Sequence, residues 1–134
     1  MTGELIDKAA RAVASAKLLL AAGDTDGASN RAYYAMYDAA LAALAWVGDG
    51  ANEAVTRTHS GLIARFGQQF VRSGRLNPEL GRSINRVQEL RLTADYLTAA
   101  VPIDKAEWAI GEAEAFVTTI RELLAEPSRD ETTG

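Results

Sequence analysis

The chain has 134 residues, no Cys, a single His, 26 Ala and a formal net charge of −4. The absence of Cys excludes a disulfide scaffold, a thiolate zinc site and a Cys nucleophile, and one His excludes a His-rich metal site within one chain. Alanine is the strongest helix former, so an all-α domain that carries no cofactor is expected.

Residues 3–22 place Leu5, Ala9, Ala12, Ala16 and Leu19 on one stripe with Ile6, Val13 and Leu20 beside it, the period of an amphipathic helix. Gly23 ends that helix, and Asp24-Thr25-Asp26 offers capping oxygens for a second one running to about Val47 and closing at Gly48-Asp49-Gly50. This second helix is the longest and most apolar element, so it is expected to be central. Residues 48–55 read as a loop, and Thr58-His59-Ser60-Gly61 leads into a third helix near 59–72 with Leu62, Ile63, Phe66 and Phe70 inward. Ser73-Gly74 stops it. Asn77-Pro78-Glu79 is a cap followed by Pro, and Leu80, Ile84, Val87, Leu90 and Leu97 mark a fourth helix to about Ala99. Pro102 breaks the chain again, and Asp104 is placed to cap a fifth helix bearing Trp108, Ala115, Val117, Ile120 and Leu124 among glutamates.

Five helices with short connections predict one up-and-down bundle over 1–126, followed by a polar, disordered tail at 127–134, PSRDETTG. No apolar stretch approaches the ~18 residues of a membrane span, and the N-terminus MTGELIDKAA is acidic where a signal peptide is basic. A soluble cytoplasmic protein without membrane contact is expected.

The charge is unevenly placed. From Arg57 to Arg91 seven Arg stand against Glu79 and Glu89, a local +5, while the remainder carries −9. Two readings follow: the arginines pair with the acidic first and last helices, or they meet phosphates, for which Arg is the suited cation.

The densest polar and aromatic run is Asn30-Arg31-Ala32-Tyr33-Tyr34-Ala35-Met36-Tyr37-Asp38, inside the helix expected to be most buried. At about 100° per residue Arg31, Tyr34 and Asp38 share one face, bringing a guanidinium, a phenol and a carboxylate together. They form either an internal charge pair or a ligand edge. On the fourth helix Gln88, Arg91 and Asp95 share a face beside Tyr96, with Arg91 and Asp95 spaced as an i,i+4 ion pair.

Four segments in order, Arg31-Ala-Tyr-Tyr-Ala-Met-Tyr-Asp-Ala-Ala, His59-Ser-Gly-Leu-Ile, Phe66-Gly-Gln-Gln-Phe-Val-Arg-Ser-Gly-Arg and Arg91-Leu-Thr-Ala-Asp-Tyr, resemble the HEPN domain family, specifically its small stand-alone bacterial and archaeal members. The similarity covers about residues 5–125. It implies a helical bundle that forms a homodimer, often encoded beside a minimal nucleotidyltransferase (MNT) acting as antitoxin. Many family members are metal-independent ribonucleases whose hallmark is an Arg followed after four to six residues by a His. In that chemistry Arg stabilises the phosphate charge and His moves a proton. Arg31 falls at the family's Arg, but Asp38 stands where its His would be. An Asp near its reference pKa of about 4 is a poor acid at neutral pH, and the neighbouring Arg31 is expected to lower that value further. His59 is the one imidazole able to replace the missing group.

The resemblance leaves three functions. One is a non-catalytic, dimeric module of a toxin–antitoxin-like system that binds RNA, a nucleotide or a protein partner through Asn30, Arg31, Tyr34, Arg91 and Asp95, and this reading is favoured because the motif His is absent. The second is an endoribonuclease toxin using Arg31 with His59 or Asp38. The third is a structural dimerisation bundle. The resemblance also implies a partner MNT enzyme that attaches AMP to a tyrosine, for which Tyr96 is the candidate.

Overall fold

The computed structural model describes residues 2–48, 58–96 and 98–126, and every regular element among them is helical. Helix α1 spans Thr2–Ala21, α2 Thr25–Trp46, α3 His59–Phe66, α4 Glu79–Tyr96 and α5 Ile103–Leu124, with a π-helical turn at Gly67–Val71 continuing α3. Five helices are expected and five are found among the described residues. The expected loop and stop at Asp49 to Val55, the start of the basic island at Arg57, Leu97 and the tail 127–134 lie outside the described residues.

Local chemistry sets the boundaries. Gly23 takes φ +87°, a left-handed conformation that a side chain would strain, and turns the chain out of α1. Asp24 then caps α2, its Oδ1 accepting from the Gly27 N–H at 2.8 Å. Thr58 caps α3 in the same way through the Gly61 N–H at 3.0 Å, which fixes His59 as the first helical residue. Asn77 Oδ1 accepts from Glu79 N–H at 2.9 Å at the entrance of α4.

Three expected boundaries shift, the first being the end of α4, which closes at Tyr96 rather than near Ala99, with Thr98 and Ala99 already in bends. The 59–72 helix is not uniform: at its end Arg72 N–H donates to Gly67 C=O at 2.9 Å, an i to i+5 bond that widens the turn where Phe70 joins Phe66 in the core. Asp104 does not cap α5. The helix begins at Ile103, and the Pro102 carbonyl accepts from the Lys105 and Ala106 N–H groups, both at 3.1 Å. Asp104 sits inside the first turn, where its charge opposes the positive end of the helix dipole.

Helix α2 is central, as its composition requires, and touches α1, α3, α4 and α5. Its most extensive packing is against α1, whose buried face is Ile6, Ala9, Ala12, Val13 and Ala16. Alanines of α2, among them Ala28, Ala32, Ala35 and Ala39, are fully buried. At the other end of the core Phe66 lies between Phe70 and Phe116, with ring centroids 5.2 and 5.3 Å away. The inward face of α5 is Ala109, Ala113, Phe116, Ile120 and Leu123, whereas Trp108 and Ala115 are exposed. A side-chain-to-backbone bond, Val101 N–H to Asp26 Oδ1 at 2.9 Å, ties the approach to α5 onto the first turn of α2.

The acidic outer helices hold their own cations: Lys17 of α1 pairs with Glu114 of α5, and Arg121 of α5 with Asp7 of α1. Arg82 and Arg86 pair instead with Glu79 on their own helix, and Arg75 stacks on Trp46 at 4.7 Å. Pairing of the basic island with the first and last helices is therefore not how these arginines are used. No helix among the described residues is long and apolar enough to cross a membrane.

Candidate functional site

The polar run of α2 winds over an arc of its surface, and three elements converge on that arc. Tyr33 is fully buried, while Tyr34 and Tyr37 are half-buried beside it. The cap at Thr58 delivers His59 against all three phenols, with ring centroids 5.4 Å from Tyr33, 5.8 Å from Tyr34 and 5.1 Å from Tyr37. Tyr33 Oη and His59 Nδ1 are 2.7 Å apart, within hydrogen-bond range. A phenol buried in the middle of a helical core requires such a partner, because an unpaired hydroxyl there costs about 1–3 kcal/mol.

Helix α4 supplies the third side. Arg91 lies across the tyrosines, its guanidinium carbon 4.7 Å from the Tyr33 ring centroid and 5.8 Å from that of Tyr34. Arg31 approaches Tyr34 from α2 itself at 5.9 Å. Two guanidinium groups thus share one aromatic ring, a contact that holds a cation without neutralising it. Neither arginine is ion-paired among the described residues, and the buried Nε of Arg91 has no hydrogen-bond partner there. The expected Arg91–Asp95 pair does not form: Arg91 turns onto the rings, and Asp95 is exposed.

Protonation follows from this packing. Burial pushes the Tyr33 phenol up despite the opposing Arg91 charge, and burial raises Tyr37 as well. His59 is held below its ordinary value by burial and then by Arg91. The phenol therefore keeps its proton and the imidazole stays neutral, an arrangement satisfied by Tyr33 O–H donating to Nδ1 with the ring proton on Nε2.

Asp38 behaves otherwise than its sequence neighbour suggests. It is buried, and desolvation raises its pKa although Lys8 of α1 and then Arg31 pull it down. The expectation that Arg31 would lower it is overturned by burial, which outweighs both cations. Asp38 and Arg31 form no ion pair among the described residues. Of the residues singled out in the sequence, Arg31, Tyr34, His59 and Arg91 are brought together. Asn30 is half-buried next to Arg31 with no hydrogen bond into the cluster among the described residues, and Tyr96 projects from the last turn of α4 at 86% exposure. Tyr33 and Tyr37 belong to the site and were not singled out. Their signal was the i,i+4 spacing of two phenols next to the one His partner in the chain.

Separate residues of α3, the π-helical turn and α4 line a groove of about 730 Å³, whose polar side chains are Gln68, Arg72, Arg82, Asn85, Arg86 and Glu89. No cluster of metal-ligating side chains is present among the described residues.

Comparison with known proteins places these features in a lineage. The family model described as "HEPN domain" matches residues 2–123. A UPF0332 protein of Thermotoga maritima is 36% identical over 116 residues, covering 85% of this chain and 83% of the relative. A Methanocaldococcus jannaschii protein named "Putative toxin MJ0605" is 35% identical over 122 residues, 91% of this chain and 87% of the relative. A second UPF0332 protein, from Gloeobacter violaceus, is 30% identical over 125 residues, 92% and 95% of the two chains.

Proposed function

Because this chain belongs to the HEPN domain family, we propose that it is a toxin-like HEPN protein that binds the phosphate groups of RNA or of a nucleotide at the cluster of Arg31, Tyr34, His59 and Arg91. The observation that carries this reading is the convergence of two guanidinium groups on Tyr34 with no carboxylate paired to either among the described residues. A structural cluster would pair those charges. A phosphate site leaves them for the ligand, with the ring as a surface for base stacking. The groove on α4 offers Arg72 as a further cation, while its Arg82 and Arg86 are already paired with Glu79 and Glu89 also lines it. The acting unit in this reading is a homodimer paired with an MNT-type antitoxin, consistent with relatives that carry a toxin name.

Titration of single-stranded RNA and of ATP at low and at physiological salt tests it. RNA affinity should fall steeply with salt, and Arg31→Ala should weaken binding by about tenfold, the worth of one hydrogen bond to a charged group. Binding absent at both salt concentrations leaves the structural dimerisation bundle as the remaining reading.

A second reading, metal-independent RNA cleavage, draws support from one observation: a neutral imidazole, His59, faces the same rings as Arg91 and Tyr34, whereas Asp38 is governed first by its burial and then by Lys8 of α1. His59 rather than Asp38 is then the proton carrier. RNA cleavage in EDTA that disappears in Arg31→Ala supports it, and cleavage no greater than that control removes it. The exposure of Tyr96 suits it to receive AMP from an MNT partner, and mass spectrometry after co-expression with such a protein would find an unmodified Tyr96 peptide if the assignment is wrong.

A further inference from the structure

The geometry points to Tyr33 as a positioning residue that fixes the tautomer of His59, so that the His59 Nε2–H and the Arg91 guanidinium together form a subsite for one phosphate group. This deepens the phosphate-binding reading above and rests on it. The hydroxyl of Tyr33 is anchored by a fully buried ring and lies 2.7 Å from Nδ1, so that nitrogen is committed. With the Tyr33 O–H as the donor to Nδ1, the proton of a neutral imidazole resides on Nε2, which has no partner among the described residues. Arg91 reaches the same tyrosine faces, held by ring contacts rather than by a carboxylate, and its charge is uncommitted.

A donor and a cation lying against the same pair of rings and lacking an acceptor match a tetrahedral oxyanion. The two contribute differently. Arg91 supplies a permanent charge, and a neutral N–H supplies direction without adding a second charge beside that cation. The Arg91 charge itself disfavours protonation of His59, which keeps the ring in the donor form that Tyr33 selects. Tyr33 touches no ligand in this scheme. Its role is to decide which edge of the imidazole carries hydrogen, and replacing it by Phe frees the ring to exchange tautomers while the aromatic packing remains.

Since the chain contains one His, its ring nitrogens give unambiguous long-range ¹H–¹⁵N signals in the labelled full-length protein. In the free protein Nδ1 should read as unprotonated and Nε2 as protonated. Addition of AMP should move the Nε2 resonance, while adenosine, which lacks the phosphate, should leave it in place. Tyr33→Phe should give mixed tautomers and weaken AMP by several-fold, and Arg91→Gln should weaken it by about tenfold or more. A proton on Nδ1 in the unsubstituted protein overturns the inference without recourse to any variant. So does AMP or RNA binding that depends on Arg31 but leaves the His59 resonances unmoved, an outcome that spares the broader reading. Failure of AMP, ATP and RNA alike to bind overturns both.

Discussion

Removing the Tyr33 hydroxyl should cost more stability than removal of a single oxygen atom usually does. Tyr33→Phe keeps the ring, so its contacts with Tyr34, Tyr37 and Arg91 persist and the core volume hardly changes. What is lost is one hydrogen bond of 2.7 Å, worth about 1 kcal/mol net, and the partner of a half-buried imidazole nitrogen, which costs up to about 1 kcal/mol more where water does not reach it. A destabilisation of about 1–2 kcal/mol follows, or roughly 4–8 °C in Tm for a chain of this size. The partner substitution His59→Leu should cost a similar amount, and the double variant should fall short of the sum by about 1 kcal/mol, because the bond can be lost only once. Urea unfolding of the four proteins measures each value. Costs that add to within about 0.3 kcal/mol would refute the claim that the two side chains are coupled.

Stability should respond to acid in two opposed ways. His59 has its pKa depressed in the folded state, so the unfolded chain binds the proton more readily and stability drops as pH falls below about 6.5; His59→Gln should remove that slope in denaturation curves taken from pH 7 to 5. Asp38 has its pKa raised, so its contribution is present below about 3.8 and is lost as pH rises through the folded value; Asp38→Asn should therefore raise stability at neutral pH, and a loss there would show that Lys8 and Arg31 outweigh desolvation. Phe116→Ala should cost about 3–5 kcal/mol by opening a cavity beside Phe66, and a two-state unfolding midpoint near that of the unsubstituted protein would contradict the packing described. Gly27→Ala ordinarily gains about 1 kcal/mol within a helix, but here the new methyl would collide with the Asp24 carboxylate and displace the cap; the gain should appear only in an Asp24→Ala background, as thermal melts of the three variants will show.

What could be read from the sequence was what depends on neighbours along the chain. Alanine content, the spacing of Ile84 and Val87, and the punctuation at Gly23, Ser73-Gly74 and Pro78 are local, and the helices fell where those residues put them. The errors came from effects that only packing determines. Of the residues named on the fifth helix, Val117 and Ile120 are buried while Trp108 and Ala115 are exposed, and Ala109 and Ala113, not named there, lie on the buried face of α5. The direction of the Asp38 shift depends on how deeply α1 covers it, and no reading of positions 31 to 38 contains that depth. The site was half visible for the same reason. Arg31 and Tyr34 belong to one helix and were grouped together, whereas His59 and Arg91 reach that helix from 26 and 58 residues beyond Tyr33, so their meeting on its ring is a product of the fold.

The alanine seam between α1 and α2 inverts the usual rule of mutational damage. Elsewhere in a protein interior the harmful change is one that removes atoms. Ala9, Ala12, Ala16, Ala32 and Ala35 have almost nothing to remove, and the added methyls of a valine would wedge the two rods apart. The same rod carries Arg31, Tyr33 and Tyr34, so a slight thickening on its hidden side would move the guanidinium and the phenols on its other side. The geometry of the aromatic cluster is then governed from behind, by residues that take no part in it.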